Sequence, residues 1–273
     1  MSRAWVEFIQ SQNLDWETST LPTLSEGPEI KRLSQDPDNG ALSALLRYPA
    51  GYQAAAMPLT ADEEFLVLDG DLEIGGRSFG PFAYGHWPSG YNAGARSSQS
   101  GAIVLTFFSS HPAASQTSDF RTDRLVEHCN AFDVPYTGKF HPEFPPGAGR
   151  KLLYTDPVTQ EATWILGTLP MRWAERSEIH PVVEEMYLLS GESHGDRGVM
   201  RPGAYFWRPG EIPHGPYGTL TGNLYFFRTK DGGLQTQYVE PRAPFHWWPK
   251  YDPVLPEPMK PFGGEVDTLT RCW

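Results

Sequence analysis

The side chains best suited to chemistry lie in the second half of the chain. His180 is followed by Pro-Val-Val and then Glu184, and His214 comes thirty residues after that glutamate. Imidazole nitrogen and carboxylate oxygen are donors with which proteins bind first-row divalent metals. A lone histidine in a β-strand is more often a hydrogen-bonded core or surface residue. The elements that position these three side chains therefore decide their interpretation.

An internal repeat indicates what those elements are. Residues 63–70, EEFLVLDG, align with residues 184–191, EEMYLLSG, at an offset of 121. Pro88 aligns with Pro209 at the same offset, and the match continues without a gap to about residue 108. Collinear matches over this length indicate two copies of one structural unit.

Both copies have the pattern of β-structure. Short apolar stretches of strand length alternate with Gly, Pro, Asn and Asp at hairpin spacing. The chain contains 27 glycines, 26 prolines and 13% aromatic residues, a composition that also favours strands and turns. We therefore predict an all-β chain of two tandem antiparallel barrels or jelly rolls.

The repeat also predicts the domain organisation. The first barrel is expected over residues 1–110, a connecting segment over 111–150, and the second barrel over 151–240. Residues 241–273 form a tail rich in Pro and Trp. We expect this tail to pack on the barrels, because a free tail would expose its aromatic side chains.

Two stretches of the second copy resemble the paired motifs of the cupin superfamily, Gly-x5-His-x-His-x3,4-Glu-x6-Gly and Gly-x5-Pro-x-Gly-x2-His-x3-Asn. Residues 184–191 fit the end of the first motif, with His180 at its second histidine, and residues 203–214 fit the second motif. The motif's first histidine falls on Glu178 and its final asparagine on Gly218. Because the repeat extends the resemblance to both copies, the chain resembles a bicupin, which implies two tandem cupin barrels.

The resemblance implies a metal site in the second barrel. His180, Glu184 and His214 are the ligand positions that survive, and two imidazoles with one carboxylate leave open positions on an octahedral ion, as in non-haem Fe(II) oxygenases. Glu178 shares a strand face with His180. It is therefore a candidate fourth ligand or a catalytic acid or base. Fe(II) is the expected ion, with Zn, Mn and Ni as alternatives.

The same register predicts that the first barrel binds no metal. The four candidate ligand positions correspond there to Met57, Leu59, Glu63 and Ala93. Only Glu63 could bind a hard divalent cation, and one carboxylate alone does not hold it. We expect this barrel to be a degenerate structural domain.

Further residues are candidates for the second pocket. Strand alternation places Met186 and Leu188 on the face of Glu184, where they would form an apolar wall. Arg172 is a candidate catalytic residue that could bind a carboxylate or enolate oxygen. Tyr187 is a candidate for moving a proton.

The resemblance leaves three functions open. Many bicupins with such sites are dioxygenases, so the favoured function is a mononuclear non-haem Fe(II) dioxygenase acting on a small ketone, diketone or phenol. The alternative is a redox-neutral lyase or isomerase, in which the metal polarises a carbonyl. The third is a non-catalytic sensor or structural cupin, since the second barrel also resembles the metal-binding cupin domains of anti-sigma factors.

Composition argues against several other classes. The chain has 22 Lys and Arg against 33 Asp and Glu, a net charge of −11, which disfavours nucleic-acid and anionic-lipid partners. No apolar run approaches the roughly 20 residues that span a bilayer, and the N-terminus lacks a signal-peptide apolar core. Neither of the two cysteines lies in a Cys-x-x-Cys pair, so we expect a cytoplasmic protein. Because barrels expose sheet edges, we also expect a homodimer. His194 lies in a loop and is expected to face solvent.

Overall fold

The computed structural model describes residues 3–22, 24–137, 147–267 and 271–273. Within these ranges the chain forms two compact units, one from Arg3 and Asp15–Val134 and the other from Ala4–Leu14 and Pro135–Trp273. Strands dominate both units, and short 3-10 segments cover Ser11–Asn13, Thr122–Arg124 and Glu257–Phe262. No helix in the described ranges is long and apolar enough to cross a membrane.

The described residues form 23 strands. They are, in chain order, β1 (Val6–Gln10), β2 (Glu17–Thr18), β3 (Glu29–Gln35), β4 (Leu42–Tyr48), β5 (Tyr52–Ala54), β6 (Glu63–Gly70), β7 (Leu72–Ile74), β8 (Arg77–Phe79), β9 (Ala83–Trp87), β10 (Arg96–Ser98), β11 (Ala102–Phe108), β12 (Val126–Asn130), β13 (Ala148–Thr155), β14 (Ala162–Thr168), β15 (Arg172–Trp173), β16 (Ser177–Ile179), β17 (Val183–Gly191), β18 (Ser193–Gly195), β19 (Gly198–Met200), β20 (Ala204–Arg208), β21 (Gly218–Thr219), β22 (Asn223–Lys230) and β23 (Gln237–Val239).

Each unit contains one large and one small antiparallel sheet in the same strand order. In the first unit the orders are β12-β9-β6-β11-β4-β3-β2 and β5-β10-β7-β8. In the second they are β1-β20-β17-β22-β14-β13 and β15-β21-β18-β19, with β16 and β23 forming a separate pair. The predicted all-β fold of two tandem barrels is confirmed.

The register of the two barrels follows the sequence repeat. Glu63 of β6 lies opposite Trp87 of β9, and Glu184 of β17 lies opposite Arg208 of β20, so both pairs are related by the offset of 121. The Tyr84 hydroxyl of β9 donates to Glu64 of β6 at 2.5 Å. The equivalent Tyr205 hydroxyl of β20 donates to Glu185 of β17 at 2.6 Å. Cross-strand partners, as well as residue types, are therefore repeated.

The edge strands differ from the domain boundaries expected from the sequence. Residues 1–110 were expected in the first barrel, but β1 pairs with β20 of the second unit, because Val6 lies opposite Trp207 and Gln10 opposite Ala204. In the first unit the corresponding edge beside β9 is filled by β12, which lies in the expected connecting segment. Strand β13 also begins within that segment. Edge pairing between distant segments has no local sequence signal.

Apolar side chains from both sheets fill each barrel. In the first, Phe65, Phe79 and Trp87 pack with ring centroids 4.7–6.0 Å apart. In the second, Phe8 and Met186 belong to the buried cluster, which β1, β17, β20 and β22 supply. These cores hold the strands that carry the polar residues of the site.

Two left-handed glycines provide a test of the turn geometry in the first barrel. Gly70 has φ +73° and a Cβ there would lie 2.0 Å from the Gly101 carbonyl oxygen, whereas Gly76 has φ +79° and nothing within 4 Å. Both positions disfavour an L side chain by about 1–2 kcal/mol. We expect Gly76→Ala to lower the free energy of unfolding by about 1 kcal/mol and Gly70→Ala to lower it more, because the backbone contact must open. Urea denaturation measures both, and equal losses would contradict the steric part of this prediction.

Candidate metal centre

Three short segments bring the predicted ligands to one place in the second barrel. Glu178 lies on β16, His180 directly follows that strand, and Glu184 begins the part of β17 that pairs with β20. His214 lies between β20 and β21 and is tied to β16 by two backbone hydrogen bonds. The Glu178 amide donates to the His214 carbonyl at 2.9 Å, and the His214 amide donates back at 3.0 Å. This bridge fixes His214 beside the strand that carries the other candidates.

Three of the four side chains form one cluster, and Glu184 contacts both of its histidines. One ligand atom each from Glu178, His180 and His214 lies within 4.8 Å of the others. The Nε2 atom of His180 is 3.5 Å from Oε1 of Glu184, and Nε2 of His214 is 3.4 Å from Oε2 of the same carboxylate. His180, Glu184 and His214 are buried, and Glu178 is partly exposed. The cluster that could hold an ion therefore contains Glu178 with the two histidines, while the predicted ligand Glu184 lies beside both histidines and outside that cluster.

Backbone carbonyls orient both imidazole rings. Nδ1 of His180 lies 2.8 Å from the Gln235 carbonyl oxygen, and Nδ1 of His214 lies 2.9 Å from that of Ile212. A carbonyl oxygen only accepts, so each Nδ1 carries the proton and donates it. In the neutral ring, the lone pair is then on Nε2 and points to the cluster, which is the arrangement typical of metal-binding histidines.

The two histidines have opposite electrostatic surroundings. Burial lowers the pKa of His180, but the Glu184 and Glu178 carboxylates outweigh it and raise that pKa to about 9. Burial, followed by the positive charges of Arg208 and His180, lowers the pKa of His214 well below its usual value. The raised pKa keeps the His180 ring protonated and cationic at neutral pH, whereas the His214 ring stays neutral. A divalent ion bound here would take the place of the His180 proton. A divalent ion fits this donor set, since it satisfies both carboxylates.

A buried ion-pair network that sequence reasoning missed holds Glu184. Arg208 donates from Nη1 to Oε2 of Glu184 at 2.6 Å and from Nε to Oε2 of Glu7 at 2.7 Å. Its Nη2 also donates to Glu7 and, at 2.9 Å, to the Tyr217 hydroxyl. The Arg208 and Glu7 side chains are each only 3% exposed. The sequence feature that could have indicated this network is Arg208 itself, a charged residue at the end of the apolar strand AYFWR.

The charges of this network suit a divalent ion. Arg208 and Glu7 cancel each other, which leaves the negative charges of Glu178 and Glu184 for the ion to balance. Buried charge is tolerated where it is paired and hydrogen-bonded. A dication between these two carboxylates and two neutral imidazoles would make the whole group electrically neutral.

A cavity of about 90 Å³ adjoins the cluster and is mostly apolar. Met186, Phe206 and Phe227 form part of its wall, and Glu178, Glu184 and His214 line its polar side. The predicted apolar wall is present at Met186, while Leu188 is buried in the same hydrophobic cluster. Arg172 also lines this cavity, as the sequence suggested.

Tyr187 is wrongly predicted as a catalytic residue. Its hydroxyl hydrogen-bonds to Ser11 Oγ at 2.9 Å and to the Cys272 carbonyl, and the side chain is fully buried away from the cavity. The physical reason is strand alternation, because Tyr187 is an odd number of residues from Glu184 and faces the opposite side of β17.

His194 is buried, contrary to the expectation that it faces solvent. It is 1% exposed, and its Nδ1 lies 2.5 Å from the Trp247 carbonyl oxygen. The Trp247 and Trp248 rings pack edge-on against its imidazole. The aromatic tail covers this part of the second unit and removes His194 from water.

The first barrel has an internal cation where the second has its candidate metal ligands. Met57, Leu59, Glu63 and Ala93 line one cavity, as the repeat predicted. The Arg96 guanidinium places Nη2 2.9 Å from both Glu63 oxygens, and its Nη1 donates to Tyr48 at 2.8 Å. Burial would lower the pKa of Arg96, but Glu63 outweighs this and raises it. Sequence reasoning identified Glu63 and missed its partner.

The sequence matches no protein-family model, and it matches no curated protein. Solved structures nevertheless share its fold. A candidate dioxygenase from Nostoc punctiforme superposes with a TM-score of 0.78 at 19% identity, over 88% of this chain and 92% of that one. An E162A mutant of Bacillus subtilis oxalate decarboxylase gives 0.56 at 12% identity, over 85% and 79%. A candidate glyoxylate-induced protein from Pseudomonas aeruginosa gives 0.59 at 14%, over 84% and 87%.

At these low identities, the superpositions establish similarity of fold alone. The similarity covers residues of both units of this chain, so it is not confined to a single barrel. Together with the repeated register and the paired motifs, it gives the chain the bicupin fold. Chemistry must be argued from the residues of the second barrel.

Proposed function

Taking the bicupin fold as the premise, we propose that the second barrel binds one divalent metal through His180, Glu184 and His214 and acts as a mononuclear non-haem Fe(II) dioxygenase. The observation that carries the proposal is the convergence of two Nε2 atoms and a buried carboxylate beside an apolar cavity. Two imidazoles and one carboxylate are the donor set associated with such iron enzymes. The fold shared with a candidate dioxygenase supports the same choice.

The proposed division of roles follows from the contacts. When bound, the ion supplies Lewis acidity and one-electron chemistry. His180 and His214 hold it with rings that backbone carbonyls keep oriented. Arg208 anchors one oxygen of Glu184, so that the other is available to the ion. The apolar wall keeps bulk water away from the reacting atoms.

The cavity narrows the proposed substrate range. A cavity of about 150 Å³ accepts benzene, and this one is about 90 Å³. Small aliphatic ketones and diketones therefore fit better than phenols.

A redox-neutral lyase or isomerase is the second candidate, and Glu178 favours it. This carboxylate lines the cavity and lies 3.6 Å from the His180 Nε2 atom. It is only partly buried, so it can exchange protons with solvent. In this alternative Zn, Mn or Ni would replace Fe(II), and Glu178 would move a proton to or from a carbonyl substrate.

Metal analysis and oxygen consumption test the proposal together. Protein purified without oxygen should contain about one divalent ion per chain. Reloading with Fe(II) should give oxygen uptake with small ketones or diketones, and Zn(II) should not. Turnover without oxygen uptake would favour the lyase or isomerase, and absence of any bound divalent ion would contradict the metal assignment.

Replacement of Glu178 by glutamine separates its two possible roles. If Glu178 is a ligand, metal affinity should fall, because an amide oxygen is a weaker donor than a carboxylate for a divalent ion. If Glu178 is the acid or base, metal content should remain at the wild-type level while turnover falls by about 10²–10⁴-fold. Metal titration and initial rates on the same preparation measure both. Glu175→Gln, at an exposed position just before β16, is the matched control.

A further inference from the structure

Arg172 presents an unsatisfied cationic donor at the cavity of the second barrel. It lies on β15, opposite Thr219 of β21, and lines the same cavity as Glu178 and His214. Its Nε atom is buried and has no hydrogen-bond partner among the described residues. Burial lowers the pKa of this guanidinium, and attraction to Tyr225 and Glu178 acts in the opposite direction.

The two arginines that line the cavity differ in what their donors contact. Arg208 uses its three nitrogens on Glu7, Glu184 and Tyr217. Four of its five N–H groups are thereby engaged in the protein. Leaving a buried donor unsatisfied costs about 1–3 kcal/mol, and more for a charged group. A site that keeps Arg172 in this state gains from a ligand that completes its hydrogen bonds.

The surroundings of Arg172 define that ligand. The guanidinium fork matches a carboxylate in shape and charge and binds it through two parallel hydrogen bonds. The wall of the cavity that Arg172 shares with Glu178 and His214 includes Met186, Phe206 and Phe227. A ligand that spans this space has an apolar carbon skeleton. The volume of about 90 Å³ limits that skeleton to a few atoms.

We propose that Arg172 binds the carboxylate of the substrate, and that the substrate is a short aliphatic acid whose carbonyl or hydroxyl oxygen points to the metal centre. This inference rests on the function proposed above for its metal end. The carboxylate contact itself depends only on Arg172 and the cavity. Arg172 is thus a specificity residue that selects acids over neutral ketones of the same size.

Pyruvate and pyruvamide test the proposal, because they have nearly the same shape and differ in charge. Isothermal titration of Zn(II)-loaded protein should show pyruvate binding at least ten times more tightly than pyruvamide. Arg172→Met should remove this preference by weakening pyruvate and leaving pyruvamide unchanged. Arg172→Lys should retain part of it, because the charge remains and the fork is lost. Arg176→Met, an exposed arginine four residues away, should behave as wild type.

The outcomes distinguish this proposal from the metal assignment. An equal affinity for the two probes in wild type would overturn the proposal. So would a preference that survives in Arg172→Met, since the metal alone would then hold the carboxylate. The same titration on chelator-treated protein should show a weaker preference that still depends on Arg172. If the protein binds no metal and still prefers pyruvate through Arg172, the carboxylate contact is supported. Only the proposed enzymatic function is then contradicted.

Discussion

Replacing His214 by alanine is expected to remove most of the bound metal and most of the activity. Loss of a residue that only orients a ligand costs about 10–100-fold in metal affinity, so loss of the ligand itself should cost at least about 100-fold. His180→Ala should have an effect of the same size, because its Nε2 atom lies equally close to Glu184. Competition with a metal-binding dye gives the affinity, and initial rates give the activity.

His246→Ala is the matched control for both variants. This histidine lies in the tail and is exposed, so its removal should leave metal content and rate unchanged. If His214→Ala and His180→Ala each keep one ion per chain, with wild-type affinity and full turnover, the assigned ligands are wrong.

Replacing Arg208 by methionine is expected to have the largest effect on stability. The change leaves the Glu7 and Glu184 carboxylates without their shared cation in surroundings where both side chains are under 10% exposed. Removing one partner of a buried ion pair costs about 3–5 kcal/mol. For a chain of this size, that loss corresponds to a fall in melting temperature of roughly 10 °C. Thermal unfolding followed by circular dichroism in chelator measures it.

Two further variants make the Arg208 prediction specific. Lys260→Met removes an ion pair to Glu257 whose side chains are more than half exposed, and such pairs contribute about 0–1 kcal/mol. Its melting temperature should stay near that of wild type. The double variant Glu7→Gln with Arg208→Met should recover part of the loss, because one stranded carboxylate is neutralised. A melting temperature for Arg208→Met within 2 °C of wild type would contradict the argument.

The fold was predictable because the sequence carries it twice. Strand-length apolar segments indicated β-structure, and the repeat at 121 residues aligned Glu63 with Glu184. The structure confirms that register through cross-strand partners as well as chain order. Local periodicity reports which side of a strand a residue faces, so alternation also contained the information that Tyr187 points away from the site.

The residues that support the site were harder to predict. Glu7 and Arg208 are 201 residues apart in sequence, and they meet only because β1 adds to the edge of β20. No periodic pattern encodes that pairing. Arg96 was missed for a related reason. The repeat aligns it with Tyr217, which is not a cation, and its contact with Glu63 joins two strands that are distant in sequence. Spacing in the sequence identifies residues that belong to one motif. Contacts between residues on distant strands become visible only in the folded structure.

The internal salt bridge of the first barrel has a consequence for how the two halves of this chain depend on their surroundings. There the carboxylate at position 63 carries its counter-charge in the polypeptide itself, through Arg96. The equivalent position 184 shares its arginine with Glu7 and still faces a second carboxylate, so its remaining counter-charge must come from solution. The charge balance of Glu63 is thus independent of metal supply, while the function proposed for the second barrel would depend on which metal is supplied.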